Sequence, residues 1–144
     1  MKMSRDLSAQ FQREQLHDLA QEGDLARIEE LLRRKHPVDC FDTLGKTPLH
    51  YAVRAEHFDV VDRLLRAGAN VNANDEGRIG NTPLSDNVGT CSFAMVKRLI
   101  DAGADPTIRG WMQLTALDRA KKRADAEGER ILRLLNETAA RSRK

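Results

Sequence analysis

At 144 residues, 40% hydrophobic and 32% charged, the chain has the size and composition of one folded domain, which excludes a disordered or membrane-embedded protein. Its 24 Lys and Arg against 22 Asp and Glu leave a net charge of +2, too balanced to draw it by itself to nucleic acid or to a membrane surface. No apolar run reaches the roughly 18 to 20 residues of a spanning helix, the opening MKMSRDLSAQFQREQ carries no signal-peptide block, and Cys40 and Cys91 lack the paired spacing of a zinc or redox motif; a cytoplasmic monomer with free thiols is expected.

Taken in chain order, the first element pair is QLHDLAQEGDLARIEELLRRKHPVD, preceded by the polar stretch SRDLSAQFQ. It places Leu16 and His17 where the next segment has Leu49 and His50, and Leu31 and Leu32 where it has Leu64 and Leu65, 33 residues on. That next segment, GKTPLHYAVRAEHFDVVDRLLRAGANVN, recurs as GNTPLSDNVGTCSFAMVKRLIDAGADPT, with Thr47 to Thr82 and Gly68 to Gly103 both 35 apart. A fourth copy opens at LTALDRA, where Thr115, Leu117 and Ala120 repeat Thr47, Leu49 and Ala52, and Leu134 with Leu135 restores the double leucine. A period of about 33 predicts stacked units.

Each unit predicts two short antiparallel helices. Thr47 and Thr82 supply capping oxygens, and Pro48 and Pro83 occupy the first turn, where a missing N–H costs nothing. The second helix follows from Val60, Val61, Leu64 and Leu65, mirrored by Met95, Val96, Leu99 and Ile100, at the spacing of one apolar face. Gly68 and Gly103 stop it, and loops such as ANVNANDEGRIGN turn the chain out and back in a short hairpin. The third copy departs from the second. It has TPLSDNV for TPLHYAV, with Ser85 for the histidine and Asn87 for the packed alanine, and then Gly89. These residues disfavour helix interiors, so a short or irregular helix is expected between Pro83 and Val88. Two explanations stand: drift in a unit held by its neighbours, or an indentation in the wall that admits a partner. The loop from Asp75 to Thr82 is also two residues longer than that from Asp42 to Thr47.

The segments GKTPLHYAV, VVDRLLRAGANVN, GNTPLS and VKRLIDAGADPT together resemble ankyrin repeats, over nearly the whole chain. The resemblance implies an all-α solenoid of about four helix-turn-helix repeats with short β-hairpin-like loops, in which hairpin tips and first helices line a concave face. Residues 1–144 would form a single domain with repeats at about 8–39, 40–74, 75–109 and 110–140, the first and last acting as polar caps because a lone repeat cannot bury its own apolar face. It also implies that His50 makes a structural hydrogen bond between neighbouring loops, with His17 doing the same. The stretch CSFAMVKRLIDAGADPTIRGWMQLTALDRA is similar to short free-standing bacterial ankyrin-repeat proteins, some of which neutralise toxins as immunity proteins.

No catalytic constellation is expected. His36 lies near Cys40, but Pro37 intervenes and no third group orients a base. NANDEG, residues 72–77, begins with Asn72 and meets Pro83 where a calcium loop needs glutamate, so it is a turn. Neither a metal site nor a cofactor is expected. Lys121, Lys122 and Arg123, with Arg130, Arg133 and the tail, form a basic C-terminal repeat that offers a nucleic-acid alternative, but no aromatics suited to base stacking interleave them.

The function expected is a non-catalytic protein–protein interaction module that contacts a protein partner through hairpin tips and concave face, with toxin neutralisation over the same surface as the alternative. Aligned back from Thr47, Thr82 and Thr115, the loops place Leu44, Ile79 and Met112 at equivalent positions, preceded by Thr43, Arg78 and Trp111, with Phe41 close by. An apolar row across successive fingers suits a binding edge, and tryptophan is enriched among residues that dominate binding energy. First-helix positions Tyr51, Arg54, Asp86, Arg119 and Lys122 add charges for specificity. Trp111 either faces a partner or packs over Ile79 as a small satellite core.

Overall fold

A computed structural model describes residues 15–142. The cap segment SRDLSAQFQ, the proposed start of the first repeat at residue 8 and the last two residues of the basic tail lie outside them. Residues 15–22 form helix α1, which buries Leu16, His17, Leu19 and Ala20. Gly23 ends it at φ +79°, and a Cβ there would sit 2.8 Å from the His57 ring, so both conformation and space demand glycine. Asp24 caps α2 (Leu25–Arg33) by accepting from the Arg27 N–H at 3.2 Å.

The next three units follow the same local logic. Helix α3 (Pro48–Arg54) starts after Thr47 and α4 (Phe58–Arg66) returns antiparallel to it. In α4 the buried side chains are Val60, Val61 and Leu64, at the predicted spacing, and Gly68 follows at φ +95°. Helix α5 (Pro83–Asn87) is only five residues long, as Asp86 and Asn87 within it and Gly89 just beyond it predict. Helix α6 (Phe93–Asp101) is capped by Ser92, α7 (Ala116–Lys121) by Thr115, and α8 (Ala126–Ser142) closes the described chain. The threonine caps recur because each satisfies an N–H that the first helical turn leaves without an intrahelical partner.

First helices pack on first helices, α3 against α5 and α5 against α7, while α6 packs against α8 behind them. One continuous cluster of buried side chains runs through both layers, from Leu16 and Ile28 through Leu49, Leu64, Leu84 and Leu99 to Ile131 and Leu135. No unit could bury its own stripe alone, so neighbours supply the core. The outer layer is laced by pairs that also step from unit to unit. Arg63 pairs with Glu29 and Arg98 with Asp62, while Arg98 lies 5.2 Å from the Phe58 ring centre and Arg130 4.2 Å from that of Phe93.

The loops between units project as fingers. Asp42 N–H bonds Lys46 O at 2.9 Å and Gly110 N–H bonds Leu114 O at 2.9 Å, so the first and third fingers close like hairpins, yet among the described residues no strand forms. The bonds are too few per finger to build a ladder.

A candidate binding surface on the fingers and concave face

The fingers stand on a row of buried polar links. His17 Nε2 donates to Cys40 O at 2.7 Å and to Lys46 O at 3.0 Å. One unit on, His50 Nε2 donates to Asn81 O at 2.7 Å while its Nδ1 accepts the Thr47 N–H at 3.0 Å and the Thr47 hydroxyl at 2.8 Å. A carbonyl on one nitrogen and an N–H on the other define a neutral ring with its proton on Nε2. Burial pushes its pKa below the ordinary value, more than the Asn81 carbonyl and the Asp86 and Asp42 charges restore it. The finger-to-finger role implied for both histidines is what the geometry holds.

The third unit has Ser85 in that place, and a hydroxyl cannot reach the next finger. It instead accepts the Thr82 N–H at 2.9 Å, closing the cap locally. The link forward is made by Asn81, a residue that sequence reasoning missed: its Oδ1 accepts the Trp111 N–H at 2.9 Å and lies 3.5 Å from an Arg119 terminal nitrogen. The close approach needs a bare backbone opposite, because a Cβ on Gly110 would fall 2.3 Å from Asn81 Oδ1. Asn87 does not leave an indentation. It is only 3% exposed, and its Nδ2 donates to Pro83 O at 2.9 Å and to His50 O at 3.3 Å. The polar substitution is therefore a bonded part of the core, and the reading of a partner-admitting hollow at this position is withdrawn.

The predicted site residues separate into two groups. Phe41, Leu44, Trp111 and Met112 are the exposed large apolar side chains among the described residues, at 43%, 51%, 54% and 73% exposure, and Arg54, at the end of α3, and Arg78 are exposed as well. Tyr51, Asp86 and Arg119 are drawn into internal contacts. The Tyr51 hydroxyl donates to Asp42 Oδ2 and its ring meets His17 edge-on at 5.8 Å; Asp86 pairs with Lys46 at 3.3 Å; Arg119 donates to Asn81 Oδ1 and Trp111 O. Burial raises the Asp42 carboxyl, but bonds from Tyr51 and from the Lys46 and Leu44 N–H groups outweigh it and hold the pKa below the ordinary value. These three residues brace the layer of first helices and fingers rather than stand free on it.

Ile79 is a correction of register. Asp42 and Asp75 open the same turn: Leu44 and Gly77 N–H groups bond their carboxylates at 3.0 and 3.1 Å, and Gly45 and Arg78 N–H groups bond their carbonyls at 3.0 and 2.9 Å. Gly77 thus matches Leu44, and the two extra residues fall behind the tip, where Ile79 is half-buried. Counting backward from Thr82 hid this because the insertion lies between the turn and the threonine. Nor does Trp111 lie packed as a satellite core, since over half of it is exposed.

A cleft of about 440 Å³ separates the second and third fingers, lined by Arg78, Ile79 and Gly80 on one side and Arg109, Trp111 and Met112 on the other. The third finger is held in an unusual backbone, with Met112 at φ +58° and Gln113 at φ +61°. The matching position in the first finger is Gly45 at φ +76°, so a glycine does there what Gln113 does under strain.

Other chemistry finds no assembled site. The His36 Nδ1 meets the neighbouring Pro37 carbonyl at 2.9 Å, and Cys91 is buried with its thiol pushed up to about 12, far from thiolate reactivity. Among the described residues there is no group of three or more His, Cys, Asp or Glu able to hold a metal, and no helix is long and apolar enough to cross a membrane. The basic run is broken: Arg123 turns inward to Val88 O and Cys91 O and pairs with Asp125 and Glu127.

Residues 16–110 match the family model for ankyrin repeats in three copies. The chain belongs to the ankyrin-repeat family. Ankyrin repeats generally mediate protein–protein interaction, and the fold is generally a non-catalytic module. Over 62 residues the chain is 45% identical to oxysterol-binding protein-related protein 1 of Rattus norvegicus, covering 40% of this chain and 6% of that protein. Over 65 residues it is 40% identical to inversin of Mus musculus, covering 44% and 6%. Over 51 residues it is 45% identical to 2-5A-dependent ribonuclease of Mus musculus, covering 35% and 7%. The chain thus spans about 6% of the length of the curated relatives it matches first.

Proposed function

We propose that this ankyrin-repeat chain is a non-catalytic binding module that engages a protein partner through its finger tips, with the concave wall behind them as a rigid support. The observation that carries this is the pairing of Trp111 and Met112, more than half exposed, with a backbone anchored from beneath by Asn81. Apolar side chains on a pre-organised loop suit binding because little ordering remains to be done on association. Phe41 and Leu44 extend the apolar tips to the first finger, Arg78 supplies charge beside the cleft, and Arg54 adds an exposed charge at the far end of α3. Tyr51, Asp86 and Arg119 serve by holding the fingers in register. Free Cys40 and Cys91 support a reducing, cytoplasmic compartment.

The test is affinity capture from the source-cell lysate with wild-type chain and the Trp111→Ala, Met112→Ala double variant, side by side, after matching their thermal unfolding. Loss of the wild-type partner in the variant is expected. Equal retention by two equally folded chains would place the binding surface elsewhere.

A further inference from the structure

The cleft between the second and third fingers owes its opening to an asymmetry. Arg78 donates to Thr43 O of the first finger and pairs with Asp75 at 3.3 Å, so the second finger closes on the first and leaves the gap toward the third. On the far side Trp111 and Met112 stand exposed, and Arg109, also exposed, shares the rim.

Beneath Trp111 lies Arg119, whose terminal nitrogen reaches Asn81 Oδ1 at 3.5 Å and Trp111 O at 3.4 Å. Both acceptors are neutral and both distances are long, and the buried Nε has no acceptor at all among the described residues. A guanidinium in this state carries charge that its own surroundings do not compensate. Nearby carboxylates are already engaged or sit on the edge: Asp75 is taken by Arg78, Asp86 by Lys46 at 3.3 Å, Asp118 accepts the Thr115 N–H at 3.0 Å while feeling the Arg109 charge, and Glu76 is the one carboxylate in the lining. With Arg78 held by Asp75, the rim Arg109 and the Arg119 guanidinium beneath Trp111 are the two arginines here without an ion pair among the described residues, set against the single lining carboxylate of Glu76.

We propose that this cleft receives an acidic, apolar-flanked segment of the partner protein: an apolar side chain lies on Trp111 and Met112, and a neighbouring Asp or Glu pairs with Arg109 above the Arg119 charge. The inference rests on the fingers being the binding edge and adds the chemistry of what binds there. Arginine suits the task because its planar fork matches a carboxylate with two parallel bonds. The ledge supplies contact area, and the charges select which apolar segments are accepted.

Panning the full chain against a phage-displayed library of random linear peptides tests it directly. Enriched peptides should carry Asp or Glu beside an apolar residue, and synthetic versions should shift the emission of Trp111 on titration. Arg109→Glu should weaken them about tenfold or more, a loss of about 1.4 kcal/mol, whereas Arg33→Glu on the outer helix α2 should not. Rising salt should weaken binding as it screens the pair. Basic, uncharged or absent enrichment, or indifference to Arg109→Glu, overturns the proposal. Peptides that need Trp111 and Met112 but not their own carboxylates would overturn the acidic partner alone, while peptides indifferent to the Trp111→Ala, Met112→Ala pair would overturn the finger-edge reading itself.

Discussion

Asn81 Oδ1 sits 2.9 Å from the backbone nitrogen of Trp111, so a side chain of the second finger fixes the main chain of the third at its exposed tryptophan. The same asparagine receives His50 Nε2 on its own carbonyl. One residue therefore takes the link arriving from the second repeat and passes it on to the fourth, at the place where Ser85 is too short to do so. Asn81→Ala should cost about 1 kcal/mol, because a part-buried N–H loses its acceptor. Urea unfolding measures that loss, and Trp111 anisotropy should fall as the finger loosens; unchanged values for both would show that the link carries no load.

The strain in the third finger predicts a substitution in the opposite direction. Gln113 holds φ +61° on an exposed tip where the first finger uses Gly45. A left-handed conformation costs a side chain roughly 1–2 kcal/mol, which glycine does not incur, although its looser unfolded chain returns part of that. Gln113→Gly should stabilise by about 0.5–1 kcal/mol and leave Trp111 emission in place. A lower denaturation midpoint would mean that the Gln113 side chain makes up for its backbone.

What the sequence made legible was whatever repeats. The Thr-Pro starts, the Val60, Val61, Leu64 stripe and the loop-joining histidines recur at a fixed period, so each copy checks the others. Of the candidate site, the exposure of the apolar tips was legible, since Leu44, Trp111 and Met112 stand out in polar loops. Ile79 was misplaced because an insertion can sit on either side of a turn, and only the hydrogen bonds of Asp75 show which. Asn81 was invisible for a related reason: Lys46 and Leu114 hold the matching positions, and a link that crosses 30 residues leaves no local pattern. Tyr51, Asp86 and Arg119, read from the sequence as partner-facing charges and rings, make internal contacts instead, a distinction between facing a partner and bracing a neighbour that side-chain geometry alone makes.

Trp111 reports on its own surroundings, being the one tryptophan in the chain. Half-exposed indole in a polar loop should emit toward the red and be readily quenched by acrylamide and iodide, and occupation of the cleft should shift it to the blue and protect it. Iodide should quench more efficiently than its size suggests because Arg109 and Arg119 draw an anion to the site. Blue, protected emission from the free chain would put the residue in a packed setting and remove the exposed anchor.

His50 makes stability depend on pH at mildly acid values. Burial lowers its folded pKa, whereas the unfolded imidazole titrates near an ordinary value of about 6.5. Above that pH neither state binds a proton there, and the full contribution of the neutral, doubly bonded ring is present. As the pH falls below about 6.5 the unfolded chain takes up a proton that the folded chain refuses, so stability drops, with a slope of at most about 1.4 kcal/mol per pH unit for one proton. The loss continues down through the lowered folded value. Asp42, Glu29, Asp118 and Asp125 have lowered pKa values too, but carboxylates act only below about pH 4 and do not shape this window. His50→Ser copies the local cap that Thr82 and Ser85 form in the third repeat. It should be less stable at neutral pH by about 1–3 kcal/mol, having lost a buried link to Asn81, yet show a flatter pH dependence between about pH 7 and 5. Urea midpoints across that range decide the matter, and parallel curves for the two chains would assign the acid sensitivity to another group.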